Sequence, residues 1–193
     1  MSSRLIDLDQ LSATPWKNGG GSTRQLAISP PGAGLDDFAW RISCAQVGSA
    51  GPFSLFLGIQ RSLALLEGNL LQQRANGETR LQACGEALDF AGEEAIDVTP
   101  LAGAVLDLNL MSRRDDWQQS LHSLRLHGER QLTERAEVRL LLCSAGALLV
   151  RLEDGREFAL RARQALLLGD EPGGLCLHAQ HAHLYLGLLR RLS

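Results

Sequence analysis

The chain holds 193 residues, 45% of them hydrophobic, 21% charged and 5% aromatic, with a formal net charge of −3 at pH 7. That apolar content excludes a disordered chain, and the lack of any short repeat excludes collagen-like and coiled-coil architectures. A mildly acidic balance without a long Lys/Arg tract argues against a nucleic-acid binder, whose affinity rests on phosphate neutralisation.

The opening MSSRLIDLDQL places Arg4, Asp7 and Asp9 where a secretion signal needs an unbroken apolar run. Nowhere do about 18 apolar residues run together, the length that a bilayer-spanning helix requires. Cys44, Cys84, Cys143 and Cys176 form no CxxC pair, which suits four buried free thiols in a reducing compartment. A cytoplasmic protein with no membrane partner is expected.

Along the chain, the first distinctive stretch is PWKNGGGSTR at residues 15–24. Successive glycines permit close backbone approach and can aim N–H groups at an anion. Lys17 adds positive charge, Asn18 a donor and an acceptor, and Trp16 an apolar wall. The order is not that of a P-loop, because Lys17 precedes the glycines. A plain connector at a sheet edge would look the same. Next, residues 40–44 (WRISC) alternate as a strand, with Arg41 and Ser43 on one face. Residues 63–66, 147–150 and 165–168 are short apolar runs, and Asn76-Gly77 and Asp154-Gly155 are hairpin-type turns. Residues 107–111 (DLNLM) alternate again, with Asp107, Asn109 and Met111 on one face. A short helix is expected around Asp115–Leu121, opened by acidic residues at its positive end. Short strands and frequent turns predict an all-β sandwich or barrel.

The two hairpin turns are 78 residues apart, and that offset recurs on both flanks. It matches Arg61 with Arg139, Gly68 with Gly146, Leu70-Leu71 with Leu148-Leu149, Ala87-Leu88 with Ala165-Leu166, and Glu93 with Glu171. A duplicated β-unit is the reading, with a junction in the charged stretch 111–117. At the same offset Asp107, Asn109 and Met111 meet Tyr185, Gly187 and Leu189, so a polar strand face is expected in the first half alone. Arg41, Arg61 and Asp107 there suit either a carboxylate ligand, held by bidentate hydrogen bonds, or an internal ion pair. All five histidines lie beyond residue 121, so the first half has no imidazole for a metal or a general base. Strand alternation puts His181 and His183 on one face and His178 on the other, and an HxH without a nearby acidic ligand is no metal signature. No GxSxG elbow announces a serine nucleophile.

Residues 15–26 (PWKNGGGSTRQL), 40–56 (WRISCAQVGSAGPFSLF), Arg61 with 65–68 (LLEG), and 107–114 (DLNLMSRR) resemble the HutD/Ves family of bacterial proteins, over about residues 5–190. The resemblance implies a bicupin: a ligand-bearing cupin-like barrel at 1–114 and a degenerate one at 115–193. It further implies a small-molecule-binding regulatory protein of histidine utilisation, with urocanate or N-formylglutamate as the carboxylate. The expected site is Trp16, Lys17, Asn18, Gly19, Gly20, Arg41, Phe53, Arg61, Asp107 and Asn109, with Trp16 or Phe53 walling the apolar part. The His/Glu pattern of metal-dependent cupin enzymes is missing from the first half, so neither metal, cofactor nor catalytic residue is expected. The competing readings are a cupin-type enzyme acting on a small carboxylate and a non-catalytic interaction protein with a leucine-rich homodimer surface.

Overall fold

The structure, a computed structural model, describes residues 3–169 and 173–192; Glu171, the expected match of Glu93, lies outside them. The described residues are strand and turn, with one 3-10 turn at Leu8–Gln10. The strands are β1 (Arg4–Asp7), β2 (Ala13–Pro15), β3 (Gly21–Ser29), β4 (Trp40–Val47), β5 (Gly51–Pro52), β6 (Ile59–Arg74) and β7 (Thr79–Ala83). They continue with β8 (Ala87–Ala91), β9 (Ile96–Arg113), β10 (Trp117–Leu132), β11 (Val138–Leu152), β12 (Glu157–Arg161), β13 (Gln164–Gly169) and β14 (Leu175–Arg191). Among the described residues no helix is long and apolar enough to cross a membrane.

Leu11–Gln119 forms one compact unit, joined by Leu192. Ser120–Arg191 forms the other, joined by the stretch that ends at Gln10. The boundary therefore falls inside β10, a few residues beyond the expected 114/115. The N-terminal β1 belongs to the second unit, where it pairs antiparallel with β13, Leu5 opposite Leu166. The first unit's sheet runs β2-β3-β4-β9-β6-β7, with β8 on β6 and β5 on β9; the second runs β1-β13-β11-β14-β10, with β12 on β11.

The duplication is visible strand by strand, β6 to β9 answering to β11 to β14. Both two-residue turns close alike. Gly77 N–H donates to Arg74 O and Gly155 N–H to Leu152 O, while Asn76 Oδ1 and Asp154 Oδ1 accept from the amides of Glu78 and Arg156. Each long hairpin also breaks register at matching places, around Gly68 (φ 85°) and Gly146 (φ 81°). Such bulges bend strands too long for a flat sheet, so one strand serves two sides of a barrel.

Three sequence expectations need correction. Cross-strand registry pairs Arg61 with Met111 but Arg139 with Leu188, because β9 takes fourteen steps from Asp97 to Met111 where β14 takes twelve from Cys176 to Leu188. The counterparts of Asp107, Asn109 and Met111 are thus Leu184, Leu186 and Leu188, all in the second unit's apolar core. The helix expected at Asp115–Leu121 is a turn followed by β10. In the extended form Trp117 meets Trp40 edge-on at 6.5 Å, while Gln119 bonds Ser112 Oγ, Ser62 Oγ and Leu110 O. Finally, Cys44 and Cys143 are buried, but Cys84 is exposed and Cys176 half-buried. Cys84 follows β7 in a loop, and Cys176 points outward between the buried Leu175 and Leu177.

Candidate functional site

Registry across β4, β9 and β6 stacks three rows on one face of the first unit: Ala45–Asp107–Leu65, Ser43–Asn109–Leu63 and Arg41–Met111–Arg61. The alternation of residues 107–111 dictates this face, since side chains directly opposite in a sheet share a side. Its aliphatic members Leu63 and Leu65, with Phe53 and Phe90, belong to the unit's core.

The polar groups form one chain of contacts. Arg61, 5% exposed, donates from Nη2 to Asn109 Oδ1 at 3.0 Å and from Nη1 to Ser54 O at 3.2 Å. Asn109 Nδ2 then donates to Asp107 Oδ1 at 3.0 Å, which also accepts from the Ala45 amide at 3.3 Å. The Arg61 guanidinium sits 4.9 Å from the ring centroids of Phe53 and Phe90 and 5.7 Å from that of Phe56. Rings offer their negative faces to a cation, which offsets part of the cost of burying it. Arg61 Nε is buried and has no hydrogen-bond partner.

Burial dominates the electrostatics. It lowers the Arg61 pKa to about 10, Asp107 opposing and the nearby Arg41 assisting the shift. It raises the Asp107 carboxyl to about 6, against the hydrogen bond from Asn109, the charge of Arg61 and the Ala45 amide. Arg41 is half-buried, and burial lowers its pKa too. Its Nε donates to Oε1 of the exposed Gln25 at 3.1 Å, so the far end of its guanidinium is left for another acceptor.

Of the expected residues, the fold brings together Phe53, Arg61, Asp107 and Asn109, with Arg41 on the same face. The rest gather elsewhere. Trp16–Gly19 close the β2–β3 turn through Gly19 N–H to Trp16 O, and Asn18 Oδ1 accepts from the Gly20 amide. Lys17 is exposed in that turn. The turn lies at the Val47 end of β4, because Gly21 pairs with Val47, whereas Arg41 is six residues away, roughly 20 Å of strand. The glycines have structural reasons of their own: a Cβ on Gly21 would stand 2.3 Å from Gln46 O, and Gly19 adopts φ 72°. Trp16 packs against the core cluster that holds Phe53 and donates to Thr23 Oγ1 at 2.8 Å.

Residue reading alone misses Gln25, Phe56 and Phe90, whose part depends on cross-strand registry. It also misses a second arrangement on β14. The register slips by one between Gly146/Ala182 and Leu149/His178, so His178 and His181 are both exposed, not on opposite sides. His183 is half-buried, between the hydroxyls of Ser123 and Ser144. Among the described residues no three His, Cys, Asp or Glu converge as a metal site.

The chain is 36% identical over 109 residues to an uncharacterized 21.2 kDa protein of the hutC 3' region of Pseudomonas putida, an alignment covering 56% of this chain and 57% of that one. The chain therefore spans little more than half the length of that relative. A conserved protein of unknown function from Pseudomonas aeruginosa PAO1 superposes with a TM-score of 0.91 at 30% identity, over 98% of this chain and 100% of that one. The fold is also that of a cupin 2 conserved barrel domain protein from Leptotrichia buccalis, with a TM-score of 0.65 at 10% identity over 97% and 96% of the two chains. Two units of related strand order with cupin-barrel likeness make this a bicupin. The HutD family model matches residues 8–186, nearly the whole chain, and the chain belongs to the HutD family.

Proposed function

We propose that this chain binds a small carboxylate, such as urocanate or N-formylglutamate, at the polar face of its first unit, and serves histidine utilisation as a regulatory binding protein. One observation carries the reading: a buried arginine whose Nε has no partner, with a second arginine beside it and a single carboxyl that burial already drives toward its neutral form. A buried donor left unsatisfied costs about 1–3 kcal/mol, which an acceptor brought by a ligand returns. Two guanidinium groups facing one carboxyl leave a net positive balance even with Asp107 ionised, and an incoming carboxylate neutralises it. Arg41, half-buried beside the exposed Gln25, is the first group an incoming acid meets, and the buried Arg61 lies in the same cross-strand row. Asn109 orients Arg61, and Phe53, Phe56 and Phe90 supply the apolar frame. Membership in the HutD family and the hutC-region relative support the link to histidine utilisation.

Isothermal titration with each acid tests this. The wild type binds at least one of them. Arg41→Ala weakens binding about tenfold or more, the usual worth of a charge-assisted hydrogen bond. The exposed Arg80→Ala on β7, whose ion pair with Glu86 lies at the surface, leaves affinity unchanged. Equal affinity in the wild type and Arg41→Ala, or no binding of either acid, overturns the reading.

A further inference from the structure

Apart from the buried Arg139 the interior of the second unit is apolar, and three of its strands each send one polar side chain to a common point outside that core. Ser123 Oγ on β10 lies 2.8 Å from His183 Nε2 on β14, and Ser144 Oγ on β11 lies 2.8 Å from His183 Nδ1. Ser144 Oγ also donates to the main-chain carbonyl of His183 at 3.0 Å. A hydroxyl has one proton to give. With that proton on the carbonyl, Ser144 can only accept from the ring, so Nδ1 carries the imidazole proton. Nε2 then presents its lone pair to the Ser123 hydroxyl. Burial, and after it the charge of Arg125, hold the His183 pKa below its ordinary value, which favours the neutral ring this pattern needs.

A nucleophile bonded to a base, and the base bonded on its other nitrogen to an orienting group, is the order that activates serine. The backbone contributes as well. Ser144 falls in the register break between Cys143 and Ala145, and bulges of this kind re-aim a side chain. Registry makes Leu66 and Leu106 the first-unit counterparts of Ser144 and His183, so the duplication alone does not account for the arrangement. Leu124 and Leu126 pack into the core, which turns Ser123 and Arg125 outward. Ser123 and His183 are half-buried and within reach of a solute.

We propose that the second unit carries an acyl-transfer site for small acyl esters, with Ser123 as nucleophile, His183 as general base and Ser144 as the residue that positions His183. Ser123 Oγ attacks the acyl carbon and its proton passes to His183 Nε2. The bond to the leaving alcohol breaks, and the alcohol departs with that proton. Water attacks the acyl-Ser123 ester by the same route, releasing the carboxylic acid and restoring the hydroxyl. Arg125, two residues along β10, supplies positive charge on the face where the oxyanion develops.

The test uses the full chain with p-nitrophenyl acetate and a fluorophosphonate probe, the labelled residue being located by peptide mass spectrometry. The expected result is a stoichiometric label on Ser123, absent in Ser123→Ala. His183→Gln slows labelling and hydrolysis about 100-fold or more, the usual worth of a general base. Ser144→Ala slows both about tenfold with a displaced pH profile, and Ser144→Thr restores them, which a merely structural role would not produce. Thermal unfolding establishes that each variant is folded; should His183→Gln unfold, the Ser144 pair alone decides. No label on wild-type Ser123, or rates in folded variants equal to wild type, overturns the proposal.

Discussion

At the scale of single residues, Asp107 is the most informative group. Its carboxyl titrates near 6 in the folded protein because burial penalises the anion more than Asn109, Arg61 and the Ala45 amide favour it. The folded pKa is raised above the unfolded value near 3.9. Stability from this group is therefore fully present below pH 4 and is lost as pH rises through 6. A shift of this size amounts to about 3 kcal/mol across that window. Denaturant unfolding at steps from pH 4 to pH 7.5 checks the sign: wild type loses stability over the interval, and Asp107→Asn, which cannot ionise, does not show that loss. A wild-type curve that rises or stays level, relative to the variant, contradicts the placement of Asp107. The sequence pointed to Asp107 and Asn109 because alternation in residues 107–111 fixes a face, and to Arg61 because an arginine there suits a carboxylate ligand or an ion pair with Asp107. It could not show that Asn109 bridges the other two, since that depends on which residue of β6 lies opposite which residue of β9.

At the scale of elements, bulges and turns decide where side chains go. The residue pattern located both hairpin turns, because Asn-Gly and Asp-Gly tolerate positive φ where few other pairs do. The bulges left no such signature, and they are why the counterparts of residues 107–111 are Leu184, Leu186 and Leu188 and why His178 and His181 share a side. Two glycines of similar φ separate backbone conformation from steric demand. Gly155 (φ 87°) faces open space, whereas a Cβ on Gly146 (φ 81°) would stand 2.2 Å from His181 O. Gly155→Ala should cost about 1 kcal/mol, the strain of a left-handed alanine. Gly146→Ala should cost about 3 kcal/mol or more, because backbone must also move. Equal melting temperatures for the two variants would contradict the bulge geometry.

At the scale of the whole molecule, the chain is a duplicated β-unit whose copies have diverged in their interiors: both keep a buried arginine, Arg61 and Arg139, but Asn109 and Asp107 stand in the first where leucines stand in the second. The repeat was legible from its 78-residue offset. The allegiance of the N-terminus was not, since β1 joins β13 across more than 150 residues of chain and nothing local announces such a pairing. Removing residues 1–10 should leave β13 with an unpaired edge, so amide exchange in Gln164–Gly169 accelerates while β4 and β9 keep their protection. Protection lost first in β4 would contradict the assignment. The side-chain Nε–H resonances of Arg41 and Arg61 report on whether the first unit's polar face takes up a carboxylate. Titrating N-formylglutamate or urocanate into nitrogen-15-labelled protein should move both resonances saturably, with Arg61 shifting most because its Nε begins without a partner. Saturable shifts confined to the Lys17 turn or to the second unit, with both arginine resonances unmoved, would contradict the account.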